Sequence, residues 1–124
     1  MVVTTALEHE HPVDPARVGK ATAALTSAEE AARLAGLLGL LSDPVRSRIL
    51  MALGASERLS LGDLALALEV SEDAVSYALK LLRTAGLVTF QKEGRIVFYQ
   101  LAARFPHELA EHCLRQLLSI IEEG

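Results

Sequence analysis

Residues 107–113 read HELAEHC, which places two histidines, two glutamates and the chain's only cysteine within seven positions. Imidazole nitrogens and carboxylate oxygens are the donors of an N/O zinc site. On a helix, His107 and Glu111 stand four residues apart on one face, as do Glu108 and His112, so either pair could supply two ligands. Hydrolytic zinc chemistry does not follow. The H-E-x-x-H pattern fails because Glu111 occupies the second histidine position, and the inverted H-x-x-E-H pattern fails at Glu108. No other nucleophile and base stand in a catalytic arrangement, so the chain reads as a non-enzyme. The competing reading of the same run is a solvated helix face, with i, i+4 pairs contributing a few tenths of a kcal/mol. Cys113 falls four residues after Leu109 and four before Leu117, which puts it on the apolar stripe as a buried hydrophobe.

The remaining two histidines, His9 and His11, lie near the N-terminus, so all four sit in the two terminal segments. In a dimer, His9 or His11 of one chain could stand beside the last helix of the other and complete a four-coordinate site. The candidate ligands for zinc or another divalent metal are therefore His9, His11, His107, Glu108, Glu111 and His112.

What would position these groups is a small, mostly helical domain. The chain has 124 residues, half of them apolar but only 4% aromatic, a balance that favours helices packed through aliphatic side chains. It has no apolar run long enough to span a bilayer and no signal peptide, and its single cysteine suits a reducing compartment, so a cytoplasmic location with no membrane partner is expected. Residues 1–13 read as a flexible tail and 14–124 as one domain. Asp14 with Pro15, Thr26 with Glu29, and Asp43 with Pro44 mark three helix starts, and Gly54 marks a stop. Ser60 and Asp63 open a two-turn helix, Glu69 and Val70 form a tight joint, and Ser71 opens a helix over 72–85 that Gly86 ends. The period then changes: LVTFQ and IVFYQL are β-branched and aromatic, separated by KEGR, and form a two-stranded hairpin whose Val88, Phe90, Val97 and Tyr99 face the core. Pro106 starts a last helix over 106–122.

Two short helices joined by a tight turn and followed by a hairpin outline a winged helix-turn-helix, mostly α with a β-hairpin. The helix-turn-helix spans 60–85 and the wing 87–101. The second helix can enter a major groove while the hairpin reaches flanking phosphates or the minor groove. The net charge is −4, and of the segments 1–43, 44–70, 71–100 and 101–124, with −3, 0, +1 and −2, only 71–100 is net positive. Its outward candidates for DNA contact are Ser71, Ser76, Tyr77, Lys80, Arg83 and Thr84 on the helix, with Gln91, Lys92 and Arg95 around the hairpin turn.

The run LSDPVRSRILMALGASERLSLGDLALALEVSEDAVSYALKLLRTAGLVTFQKEGRIVFYQL, residues 41–101, resembles the ArsR/SmtB family of bacterial winged-helix metalloregulators. The pieces LSDPVRSRIL, GDLA, VSEDAVSYALKLLRTAGLV and KEGRIVFYQL carry the likeness together. It implies a repressor that is a homodimer, built from the N- and C-terminal dimerisation helices, which binds a palindromic double-stranded operator and lets go when an inducer binds. Three departures from the family's pattern accompany this likeness. Ser60 stands where a family thiolate site has cysteine, and Ala103, Phe105, Gln116 and Ser119 stand where a site on the last helices has its ligands. The family also often has Ser-His-Gln or Ser-His-His where this chain has Ser76, Tyr77 and Ala78. Alternatives are a metal-independent regulator answering another ligand or oxidation of Cys113, and a winged-helix module that contacts protein.

Overall fold

The structure, a computed structural model, describes residues 12–123, without the side chains of Glu111 and Glu123. The elements in chain order are α1 (Pro15–Ala24), α2 (Ala28–Leu41), α3 (Pro44–Ser56), β1 (Arg58–Ser60), α4 (Leu61–Leu68), α5 (Glu72–Thr84), β2 (Val88–Glu93), β3 (Ile96–Leu101), a π-helical turn (Leu109–Cys113) and α6 (Leu114–Glu123). The chain divides after Ala35 into two compact units. No helix among the described residues is long and apolar enough to cross a membrane.

Most helix starts are local events. Asp14 accepts a hydrogen bond from the Arg17 N–H at 3.1 Å and Asp43 from the Arg46 N–H at 3.0 Å, each with proline in the first turn. Ser60 and Ser71 accept from Asp63 and Ala74 at 3.2 and 3.1 Å. The box that opens α2 sits one residue beyond the expected Thr26 and Glu29. Ser27 Oγ accepts from the Glu30 N–H and Glu30 Oε1 accepts from the Ser27 N–H, both at 3.1 Å. The run TSAEE offers the same spacing twice, and serine caps better than threonine.

Three features depart further from the sequence reading. Gly54 does not end α3, which continues to Ser56, and the positive φ of 62° falls on Glu57. A glycine inside a helix costs only about 1 kcal/mol, so it does not by itself end one. β1 itself was unforeseen. It pairs antiparallel with β3, Arg58 opposite Gln100 and Ser60 opposite Phe98, so the sheet has three strands in the order β1-β3-β2 rather than two. Lastly, the helical run that begins after Pro106 is interrupted: the Leu114 N–H donates to the Leu109 carbonyl, an i→i−5 bond. Ala110 is buried in that turn, whereas Cys113, like Leu117 and Ile121 beyond it, is exposed in the single chain.

The second unit is held by one aliphatic cluster. Ile49, Leu50 and Leu53 of α3 meet Leu64, Ala65 and Leu68 of α4 and Val75, Ala78, Leu79 and Leu82 of α5, with Val88, Leu101, Phe105 and Ala110 closing the cluster. Each large member contributes about 1.5–3 kcal/mol by burial, so the inward face of α5 is firmly fixed and its outward face inherits that position. Two arginines satisfy carbonyls at helix ends, where the backbone acceptors are orphaned. Arg46 Nε donates to the Leu40 carbonyl at 2.6 Å and Arg48 Nη1 to the Leu68 carbonyl at 3.1 Å.

The joint between α4 and α5 is closed by Glu69 in the left-handed conformation, φ 57° and ψ 46°, with its N–H bonded back into α4. A side chain at this φ is strained by about 1–2 kcal/mol. Glycine removes that strain but orders more entropy on folding, about 0.5–1 kcal/mol. Glu69→Gly is therefore expected to stabilise the fold by about 0.5 kcal/mol, seen as a higher denaturant midpoint with an unchanged m-value. A lower midpoint would show that the Glu69 side chain makes a compensating contribution.

Candidate nucleic-acid interface

α5 is sharply two-faced. Val75, Ala78, Leu79 and Leu82 are buried, whereas Ser71, Ser76, Tyr77, Lys80, Arg83 and Thr84 are all exposed, Tyr77 to 64%. Every helix residue proposed to touch DNA therefore lies on the surface. Two of them also have local work: Ser71 Oγ caps α5, and the Thr84 hydroxyl donates to the Lys80 carbonyl at 2.9 Å. Glu72 and Asp73 occupy the first turn, favoured there by the helix dipole, and Arg83 the last.

The hairpin is tighter than KEGR suggested. Lys92 and Glu93 belong to β2, and Glu93 pairs with Ile96, so only Gly94 and Arg95 make the turn. Gly94 has φ 63°, a value that suits glycine in such two-residue hairpins. Gln91, Lys92 and Arg95 are exposed, with Arg95 at the tip. Alternation puts Val88, Phe90 and Lys92 on one face of β2 and Thr89, Gln91 and Glu93 on the other. The first face only partly joins the core. Val88 is buried, Val97 and Tyr99 are half-buried, and Phe90 stays 48% exposed.

Phe90 is covered instead by a cation. The Arg83 guanidinium lies over its ring, 4.2 Å from the centroid, and the Tyr99 ring lies 6.2 Å away at 44°. An arginine on an aromatic face contributes about 0.5–1 kcal/mol at an exposed site, and here it links the outward face of α5 to the wing. Between them runs a shallow groove of about 550 Å³ lined by Lys80, Arg83, Thr84, Val88, Thr89 and Phe90. A neighbouring depression of similar volume adds Asp73, Ser76, Tyr77 and Tyr99. Lys80, Arg83, Lys92 and Arg95 thus belong to one helix-and-hairpin assembly, with hydroxyls and an exposed tyrosine beside the cations. Such a surface can meet phosphates through charge and base edges through hydrogen bonds and apolar contact.

The other face of the wing carries an ion pair that sequence inspection missed. Arg58 of β1 reaches across β3 and donates through both terminal nitrogens to the Glu93 carboxylate, the Nη2 to Oε1 bond measuring 3.2 Å. Its guanidinium also lies over the Phe98 ring, 4.1 Å from the centroid. The hydrogen bonds from Arg58 hold the Glu93 carboxyl below the usual carboxylate range. The residues are 35 apart in sequence, and only the β1–β3 pairing brings them together.

Three of the candidate metal ligands have described side chains. His107, Glu108 and His112 are exposed, and no group of three His, Cys, Asp or Glu side chains that could hold a metal forms among the described residues. His9 and His11 lie outside the described residues, as does the side chain of Glu111. Ser60 is committed to capping α4, Phe105 is a core residue, and the Ser119 hydroxyl donates to the Gln116 carbonyl at 3.1 Å.

Comparison with known proteins agrees with this architecture. A model of the MarR family matches residues 41–95. The chain is 40% identical over 90 residues to the transcriptional repressor SmtB homolog of Synechocystis sp., covering 69% of this chain and 67% of that protein. It is 30% identical over 105 residues to the cadmium resistance transcriptional regulatory protein CadC homolog of Staphylococcus aureus, covering 85% of this chain and 71% of that one. Among solved structures, reduced HlyU from Vibrio cholerae superposes with a TM-score of 0.60 at 32% identity, over 74% of this chain and 92% of that one. With its helix-turn-helix, its wing and these relatives, the chain belongs to the ArsR/SmtB family of winged-helix transcriptional regulators.

Proposed function

We propose that the chain is a homodimeric repressor that binds a palindromic double-stranded operator, with α5 in the major groove and the β2–β3 hairpin on the flanking backbone or minor groove. The observation that carries this reading is the joint display of Ser71, Ser76, Tyr77, Lys80, Arg83 and Thr84 on α5 with Gln91, Lys92 and Arg95 on the wing, all exposed above a fully apolar core. In this arrangement Lys80, Arg83, Lys92 and Arg95 contact phosphates and fix the register, while Ser76 and Tyr77 face base edges. Dimer formation is supported by α6, whose Leu117, Leu118, Ile120 and Ile121 remain exposed in the single chain. An apolar row of this size on one helix is the mark of a covered surface.

Release by a divalent cation such as zinc is supported by the company the chain keeps, since one relative is named for cadmium resistance. His107, Glu108 and His112 do not make a site by themselves. A zinc site on this chain would need His9, His11 or Glu111, or residues of a second protomer, to complete four-coordination. A metal-free alternative has its own observation: Cys113 is exposed, as a responsive thiol must be.

The test is to select bound genomic fragments with the full-length protein, then titrate the selected duplex complex separately with zinc and with peroxide. Enrichment of a palindromic sequence and its release by zinc is the expected result. Release by peroxide alone would replace the metal with Cys113, and failure to enrich any sequence would remove the operator reading.

A further inference from the structure

We infer that Arg58 is a positioning residue for the wing, which neutralises Glu93 and occupies its carboxylate so that Lys92 and Arg95 act unopposed. The inference rests on the DNA-binding reading and adds to it a residue outside the helix-turn-helix and wing. Glu93 occupies an awkward position, between Lys92 and the Gly94–Arg95 turn, in the part of the hairpin proposed to approach a polyanion. An unpaired carboxylate there would repel phosphates and offset one of the two neighbouring cations.

The geometry removes that difficulty. Glu93 points to the face of β2 opposite Lys92, because successive strand residues alternate. On that face Arg58 arrives from the far edge of the sheet, opposite Gln100, and spans β3 to reach it. Phe98 lies beneath the guanidinium and supports it along the way. The contact is two-pronged, which a lysine at position 58 could not reproduce, since a single ammonium lacks the planar fork. The same contact ties the hairpin to the short strand that follows α3, so the wing is anchored on this face by Arg58 and on the other by Arg83 over Phe90.

The experiment measures affinity and salt slope for a selected operator duplex with four full-length proteins: unaltered, Arg58→Gln, Glu93→Gln and the double substitution. Arg58→Gln should weaken binding roughly fivefold by exposing one like charge beside phosphate. The double substitution should recover most of that loss, because the offending carboxylate is gone. Glu93→Gln alone should change affinity little. If Arg58 instead contacts phosphate, the double substitution stays as weak as Arg58→Gln, and both lose about one unit of salt slope. Unchanged affinity in all three, with only the melting temperature lowered, would reduce the pair to a fold-stabilising contact and overturn the inference. Failure of the unaltered protein to bind any duplex would be a failure of the DNA-binding reading itself, distinguishable from the other outcomes.

Discussion

Replacing Lys80 and Arg83 together with alanine is expected to weaken operator binding roughly a hundredfold, because each charge-assisted hydrogen bond to phosphate is worth about 1.5 kcal/mol or more. The salt dependence should flatten by about two units, as close to one counterion is released per phosphate contact. Both side chains are exposed on the outward face of α5, while Val75, Leu79 and Leu82 hold its inner face, so the fold should survive and the melting temperature fall by only the few degrees that loss of the Arg83–Phe90 contact costs. Arg83 has a second task over the Phe90 ring, which Arg83→Lys separates from its charge. That variant should keep the salt slope and still lose affinity. Electrophoretic mobility shifts across a salt series give both numbers. An unaltered slope in the alanine variant would favour a winged-helix module that contacts protein.

Introducing glutamate at Leu117 and Ile121 is expected to convert the proposed dimer into a folded monomer. The two positions lie four residues apart on one face of α6 and are 56% and 73% exposed in the single chain. Charge there costs the monomer nothing, but in a covered interface it leaves unpaired carboxylates without water, a penalty of several kcal/mol per ion. Sedimentation should show the halved mass, with the helical circular dichroism retained. Binding to a palindrome should fall by roughly two orders of magnitude or more, since the second half-site gains from the effective concentration that dimerisation supplies. A dimer that survives both glutamates would move the interface away from α6.

Much of the interface was legible because its determinants are local. Ser60 and Ser71 announce their helices through one hydrogen bond each, and the alternation of Val75, Leu79 and Leu82 with Ser76, Lys80 and Arg83 defines which side of α5 faces out. Glycine at 94 with β-branched and aromatic flanks announces a hairpin. What escaped inspection depends on partners distant in the chain. Three residues at Arg58–Ser60 have no periodicity of their own and become a strand only because β3 offers an edge. Arg58 and Glu93 then meet through that pairing, and neither residue type at its position hints at the other. Phe90 was placed in the core by alternation alone, whereas the hairpin sinks only at its Val88 and Leu101 end. The metal question was the least legible part, since ligands contributed by separate segments share no spacing rule, and the described donors of HELAEHC form no group of three.

The π turn at Leu109–Cys113 gives the last helix two independent facings. Within the turn, Ala110 is fitted to the aliphatic core; downstream, Leu117 and Ile121 point out from it. An unbroken α-helix would lock these two sets to a single 3.6-residue period, so that moving one would turn the other by about 100° for each residue shifted. The widened turn takes up that residue where it stands. The core-bound and outward segments of one continuous rod can therefore each keep the orientation their own partners require, and a single peptide length in the chain is what sets the angle between them.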